Sequence, residues 1–97
     1  MPFDEMWLRI KYVEIPINNA VVQSYSTCIA LNWGDVGGTY LPGKNIVGAY
    51  LAFASGSTTV SGNCQVKDGH LVYLNLYNPS TSALTVSTVI LAVFYYD

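Results

Sequence analysis

Charge is what this sequence has least of. Ten of its 97 residues are charged, whereas charged residues make up roughly 25% of an average soluble domain. Only four are basic, Arg9, Lys11, Lys44 and Lys67. Four scattered cations form no stripe that could neutralise a phosphate backbone, which argues against nucleic acid as a partner. Half of the charges, Asp4, Glu5, Arg9, Lys11 and Glu14, crowd the first 14 residues; Asp35, Lys44, Lys67, Asp68 and Asp97 serve the rest. Histidine occurs once, at His70, and cysteine twice, at Cys28 and Cys64. Their spacing matches no metal site, so neither a metal nor another cofactor is expected. The two cysteines permit one disulfide; a pair of buried free thiols packing as small hydrophobes is the plainer expectation. The acidic start MPFDEMW lacks the basic region of a secretory signal. No apolar run approaches the ~18 residues of a membrane span, so no membrane insertion is expected. Asn78-Pro79-Ser80 is barred as a glycosylation site by its proline. No segment keeps a helical period over two turns with a capping signal.

What is abundant is apolar and hydroxyl-bearing. Hydrophobic residues make up 52% of the chain, and eight residues are tyrosine. A chain of this length fits one domain, 1–97, with 1–14 as an N-terminal strand or arm. So short a domain buries only about 60–65% of its unfolded surface, and a surface this poor in charge does little to repel copies of itself. A homo-oligomer is expected.

The local patterns are those of strands. Met6–Val13 alternates, with Leu8, Ile10 and Tyr12 opposite Arg9 and Lys11. Ile15-Pro16-Ile17-Asn18-Asn19 is expected to interrupt it, because proline cannot donate to a central ladder and Asn-Asn suits a turn. Ala20–Tyr25 and Ser26–Trp33 follow as short strands, then a long irregular connection from Gly34 to Asn45. Ile46–Ala54 is apolar at both parities, as in a strand covered on both faces. Thr58–Val66 is a weaker strand with a bulge at Gly62-Asn63. Lys67-Asp68-Gly69-His70 is a type I′ hairpin turn between alternating runs. Leu71–Tyr77 points Val72, Leu74 and Leu76 one way and Tyr73, Asn75 and Tyr77 the other; Ala83–Tyr96 is a long terminal strand. Seven or eight strands at this spacing predict an all-β, antiparallel sandwich, jelly-roll-like in type. The terminal strand is apolar on both faces in its second half. One face packs in the core; the other, assigned to Val89, Leu91, Val93 and Tyr95, is expected to meet another subunit.

Gly38, Gly43 and Lys44 match G-x-x-x-x-G-K, the pattern of a phosphate-binding loop. The match fails in detail. Asn45 stands where the Mg²⁺-binding hydroxyl belongs, Pro42 removes a backbone donor, and a strand pattern follows Lys44. A second reading of the same connection is a ligand site: Trp33 and Tyr40 supply apolar faces for a sugar, and Asp35, Lys44 and Asn45 supply polar contacts. Alternatively Trp33 caps the core and Tyr40 pins the loop. No catalytic residue is expected: His70 reads as a surface residue after a tight turn, and nothing in the spacing brings Asp35 and Asp68 together as a carboxylate pair.

The stretch Gly69-His-Leu-Val-Tyr-Leu-Asn-Leu-Tyr-Asn-Pro-Ser, followed by a Ser/Thr loop and a long last strand, resembles the C-terminal β-sandwich tips of phage tail fibres and virion spikes. The resemblance covers about residues 46–97. It implies a non-enzymatic virion protein: a homotrimer, assembled in the host cytoplasm, whose tip contacts a host-surface glycan or protein. The alternative is a structural capsid decoration or assembly protein with no ligand of its own. Fibre tips follow a long shaft, which this sequence does not contain, so it is either an excised domain or a small free-standing virion protein.

Overall fold

Leu71–Tyr77 folds as its alternation dictates. In this strand Val72, Leu74 and Leu76 are fully buried, and Tyr73, Asn75 and Tyr77 turn the other way. It is the centre of one sheet in a computed structural model that describes residues 8–56 and 59–96. Within those residues the chain is mostly antiparallel β. The elements are β1 (Arg9–Val22), β2 (Thr27–Gly34), α1 (Val36–Tyr40), β3 (Asn45–Ala54), β4 (Ser61–Lys67), β5 (Leu71–Tyr77) and β6 (Leu84–Tyr96). They form two three-stranded sheets, ordered β1-β6-β3 and β2-β5-β4. Across the sheets β3 lies against β4 and β1 against β2. One apolar cluster, drawn from both sheets, fills the space between: Val13 and Ile15 of β1, Val89 and Leu91 of β6, and Leu74 and Leu76 of β5.

The β4–β5 hairpin forms as its turn residues require. Asp68 and Gly69 both have positive φ, 57° and 75°, as a type I′ turn requires, but Lys67 pairs with Leu71, so the loop is three residues long and includes His70. The bulge expected at Gly62-Asn63 is absent, since β4 pairs with β5 in unbroken register. Gly62 serves packing instead. A Cβ there would lie 2.8 Å from a Leu51 side-chain carbon, so the glycine lets β3 approach β4.

At the N-terminus the structure differs from the two expected strands. Met6 and Trp7 lie outside the described residues, and the Pro16 interruption does not end the strand. β1 continues to Val22 because it is an edge strand, where a missing N–H is tolerated. The local signal was still real. Asn18 and Asn19 adopt left-handed φ of 54° and 55°, and the register against β6 shifts between Pro16 and Ala20. Opposite this irregularity the burial parity of β6 changes. Val86 and Val89, three residues apart, are both fully buried. Ser55 secures the same point: its N–H donates to Thr88 O (2.9 Å), and its hydroxyl accepts from Thr88 N (3.0 Å).

β3 was expected to be covered on both faces. It is an edge strand instead, and Val47, Tyr50 and Phe53 are exposed. The connection after β2 is not wholly irregular, since it holds the single turn α1. Beyond β5, Asn78 is completely buried. Its amide donates to Val22 O (3.0 Å) and Ser82 O (2.8 Å), and its Oδ1 accepts from Ser80 N (2.9 Å) and Ser80 Oγ (2.6 Å). This one side chain ties the end of β1 to the loop that leads into β6.

Candidate functional site

The hairpin turn at Asp68-Gly69-His70 collects side chains from the 33–45 connection. Asp35 caps α1: its Oδ1 accepts from Gly38 N at 2.8 Å, as short polar residues do at helix starts. The same oxygen accepts from His70 Nδ1 at 3.0 Å, so the proton sits on Nδ1. The bond from His70, then that from Gly38, holds the Asp35 carboxyl below its usual range. Gly37 N donates to His70 O at 2.8 Å, and a Cβ on Gly37 would lie 2.6 Å from His70 Cβ. Only glycine allows α1 to sit this close to the turn. From the far side Ile46 N donates to Gly69 O (2.8 Å), which places neighbouring Asn45 against Gly69.

The five residues expected to share a ligand site are therefore divided. Asp35 and Asn45 flank the hairpin. Trp33 lies beside it, 36% exposed, with its ring centroid 5.5 Å from that of Tyr73 and the Lys67 ammonium 5.6 Å above it. Tyr40, at the end of α1, packs against the core instead of the hairpin, and its carbonyl accepts from Lys11 Nζ at 3.3 Å. It lines with Asp35, Ile15 and Leu31 a depression of about 180 Å³. Lys44 precedes β3, and its N–H donates to Leu41 O. A strand follows it and a helix precedes it, the reverse of a phosphate loop. Trp33 does not cap the core, and its partners Tyr73 and Lys67 were not anticipated. Lys67 was legible as the last residue of β4 on the Tyr73 side of the sheet; the bulge that turns Trp33 onto it was not.

Val89, Leu91 and Val93, expected at a subunit contact, are fully buried in the chain's own core, and Tyr95 is packed against that core. The correction follows from the parity change in β6. A single alternation from residue 83 to 96 sets Val86 and Val89 on opposite faces, and the fold puts both inside. The face left open is the other one. On it Ile10 pairs across to Phe94, and Tyr12 and Tyr50 flank Ala92 from either side; Phe53 pairs with Ile90. Tyr12 is 63% exposed and Phe53 52%, while Ala92 beneath the tyrosines is fully buried. The Tyr50 and Phe94 rings lie 5.6 Å apart. Along its β3 edge this face meets a groove of about 450 Å³, lined by Tyr50, Leu51, Phe53, Val60 and Gly62. The sequence carried a signal for it. β1 is apolar at even positions (Ile10, Tyr12) and at odd ones (Val13, Ile15, Ile17), and one strand has only one inner face.

The outer face of the other sheet has a different chemistry. Beside Trp33 and Tyr73 it shows Asn63 and Gln65, both exposed, and Asn75. Cys28 and Cys64 lie on β2 and β4 with β5 between them. Two strand spacings of about 4.8 Å exceed disulfide reach, and both thiols are free. Burial raises the pKa of both, that of Cys64 to about 11. Among the described residues no three His, Cys, Asp or Glu side chains gather to hold a metal ion, and no helix is long and apolar enough to cross a membrane. No protein family matches the chain, and neither a curated protein nor a solved structure is significantly similar to it.

Proposed function

We propose that this chain is a non-enzymatic assembly protein, a β-sandwich of jelly-roll-like type that self-associates through the outer face of β1-β6-β3. One observation carries the reading: that face presents Ile10, Tyr12, Tyr50, Phe53 and Phe94 with Glu14 as its only charge in register with β6. Burying one such side chain contributes about 1.5–3 kcal/mol, and contiguous apolar surface of this kind marks contact sites. Three strands at about 4.8 Å spacing and nine residues at about 3.3 Å make a face of roughly 400 Å². Two such faces together bury about 800 Å², short of the ~1,200 Å² of a stable pair. A ring in which each copy offers this face to one neighbour and its β3 edge to the next gives every copy two contacts instead of one, which favours a trimer over a dimer. With its resemblance to fibre tips, the chain is best read as a structural subunit of a virion.

A second reading, attachment to a host-surface glycan or protein, draws on the half-exposed Trp33 ring beside Tyr73 and Lys67. Light scattering tests the assembly reading. The parent is expected at three times its 10.6 kDa chain mass at micromolar concentration, and the double substitution Tyr12→Lys, Phe53→Lys at one chain mass with an unchanged β spectrum. A monomeric parent overturns the reading.

A further inference from the structure

We propose that the outer face of β2-β5-β4 binds an acidic saccharide, its sugar ring on Trp33 and its carboxylate on Lys67. The inference rests on the attachment reading and names its ligand class.

Trp33 is the first ground. Its φ is 55°, a conformation that bulky side chains rarely adopt, and it sits where the β2–β5 register shifts between Leu31 and Gly34. Backbone strain of this kind persists where the surrounding structure fixes it, commonly at ligand contacts. Its effect here is to lay the indole beside Tyr73 on the outer surface. Charge is the second ground. Lys67 stands over the indole, and no carboxylate pairs with it among the described residues. The residues paired across this face, Asn63 with Asn75 and Gln65 with Tyr73, add no carboxylate, although the chain as a whole is net negative. An unpaired cation beside an aromatic face complements a ligand with an apolar face and a negative group.

The polar groups then select among such ligands. Asn63 and Gln65 are exposed amides, and Asn75 Oδ1 is a buried acceptor with no hydrogen-bond partner. Such orphans are rare and call for an explanation. A sugar hydroxyl that reached this oxygen would satisfy it. A pyranose has the matching form, with C–H groups on one face and hydroxyls around its rim. An apolar peptide would prefer the opposite sheet, which has the larger aromatic surface and Asn45 as its one amide in register with β6. The Trp33 surface is a face rather than an enclosed cavity, so it suits a chain of sugars lying across β5 better than a single ring.

The test uses ¹⁵N-labelled full-length protein and two-dimensional NMR. The acidic probes are a galacturonic acid tetramer and sialyllactose; the neutral ones are a galactose tetramer and lactose. Expected shifts involve the Trp33 indole N–H and the amides of Gln65, Lys67 and Tyr73, with acidic probes bound roughly fivefold or more tighter than neutral ones. Lys67→Gln should remove that difference, and Trp33→Ala should abolish binding of all four. If Trp33→Ala does not fold, Lys67→Gln and Gln65→Ala, both at exposed positions, decide the matter alone. Equal binding of acidic and neutral probes, unaffected by Lys67→Gln, overturns the acidic-ligand inference and leaves the attachment reading standing. No shift with any probe at millimolar concentration, or shifts confined to another surface, overturns both.

Discussion

Asn78 is the side chain whose loss should cost the fold most for its size. It is fully buried and makes four side-chain hydrogen bonds, two donated to Val22 O and Ser82 O and two accepted from Ser80. Replacement by alanine removes all four bonds, and of the groups left only Ser80 Oγ and Ser82 O keep a bond to each other (2.9 Å). Each such bond contributes about 0.5–1.5 kcal/mol net, and water entering the vacated space recovers part of the loss. A destabilisation of about 3 kcal/mol is expected for Asn78→Ala, against a total of about 5–15 kcal/mol for a chain of this size. In a domain of this length it should lower Tm by roughly 12–24 °C. Asn78→Asp separates the donor role from the acceptor role. It keeps the acceptors for Ser80 but sets a carboxylate oxygen against two carbonyls, so it should be worse than alanine at neutral pH. Burial beside those carbonyls raises the folded-state pKa of the new acid above its unfolded value. Relative to the parent, the Asp variant should therefore recover stability as pH falls from neutrality through that raised pKa, where the protonated acid donates to one carbonyl. Urea unfolding followed by circular dichroism measures all three proteins. A loss below about 0.5 kcal/mol for Asn78→Ala, the range of an ordinary surface change, would refute the argument.

Gly37→Ala should lose about 1–3 kcal/mol and displace α1 from the hairpin, because its Cβ meets the backbone and Cβ of His70; calorimetry gives the loss, and a retained His70–Asp35 bond in the variant's structure would contradict it. Cys64 holds its proton up to about pH 11 when folded, against 9.0 as a free thiol, so it contributes stability that is full below pH 9 and lost as pH rises toward 11; the alkaline fall in Tm should be shallower in Cys64→Ala than in the parent. Lys44→Ala should leave the fold intact, and ATP with Mg²⁺ should not raise the parent's Tm; a rise of several degrees abolished by Lys44→Ala would restore the phosphate-loop reading that a strand after Lys44 argues against.

The parts of the fold written locally were legible, and those decided by neighbours were not. β5 and the Asp68-Gly69 turn follow from period two and from residues that accept positive φ. The all-β character follows from the same patterns repeated along the chain. Pro16 misled because its effect depends on whether the strand lies at an edge, which only the sheet order reveals. The faces of β6 were misassigned because the parity change at Ser87-Thr88 is set by irregular pairing with Pro16–Ala20, some 70 positions away in the chain. Alternation shows that a strand has two faces; which one is inside depends on what it pairs with. At the site, Asp35 and Asn45 share a neighbour, the hairpin after β4, that closeness in sequence does not reveal. Tyr40 is as close in sequence, but one turn of helix packs it against the core instead of the hairpin. Glycine spacing marked the connection as sharply turned without giving the direction of each turn.

The scarcity of charge then has a physical account in the two outer faces. Stacked sheets turn their outer faces in opposite directions, so burying one leaves the other exposed. The β1-β6-β3 face carries Tyr12, Phe53 and Phe94, which are costly to leave in water, and a charge among them would oppose association. The β2-β5-β4 face is wetted mainly by amides and hydroxyls, with Lys67 at one end. If the first face closes a ring, every copy presents its Trp33 and Lys67 outward at fixed spacing. A shallow site on a flat sheet binds weakly alone, but several sites on one particle engage a multivalent surface about 10²–10⁴ times more strongly. The two proposals are thus linked in one direction. Assembly does not need the Trp33 face, whereas tight attachment through that face needs assembly. The monomeric double substitution Tyr12→Lys, Phe53→Lys should accordingly keep the affinity for a soluble tetrasaccharide and lose adhesion to a surface coated with it.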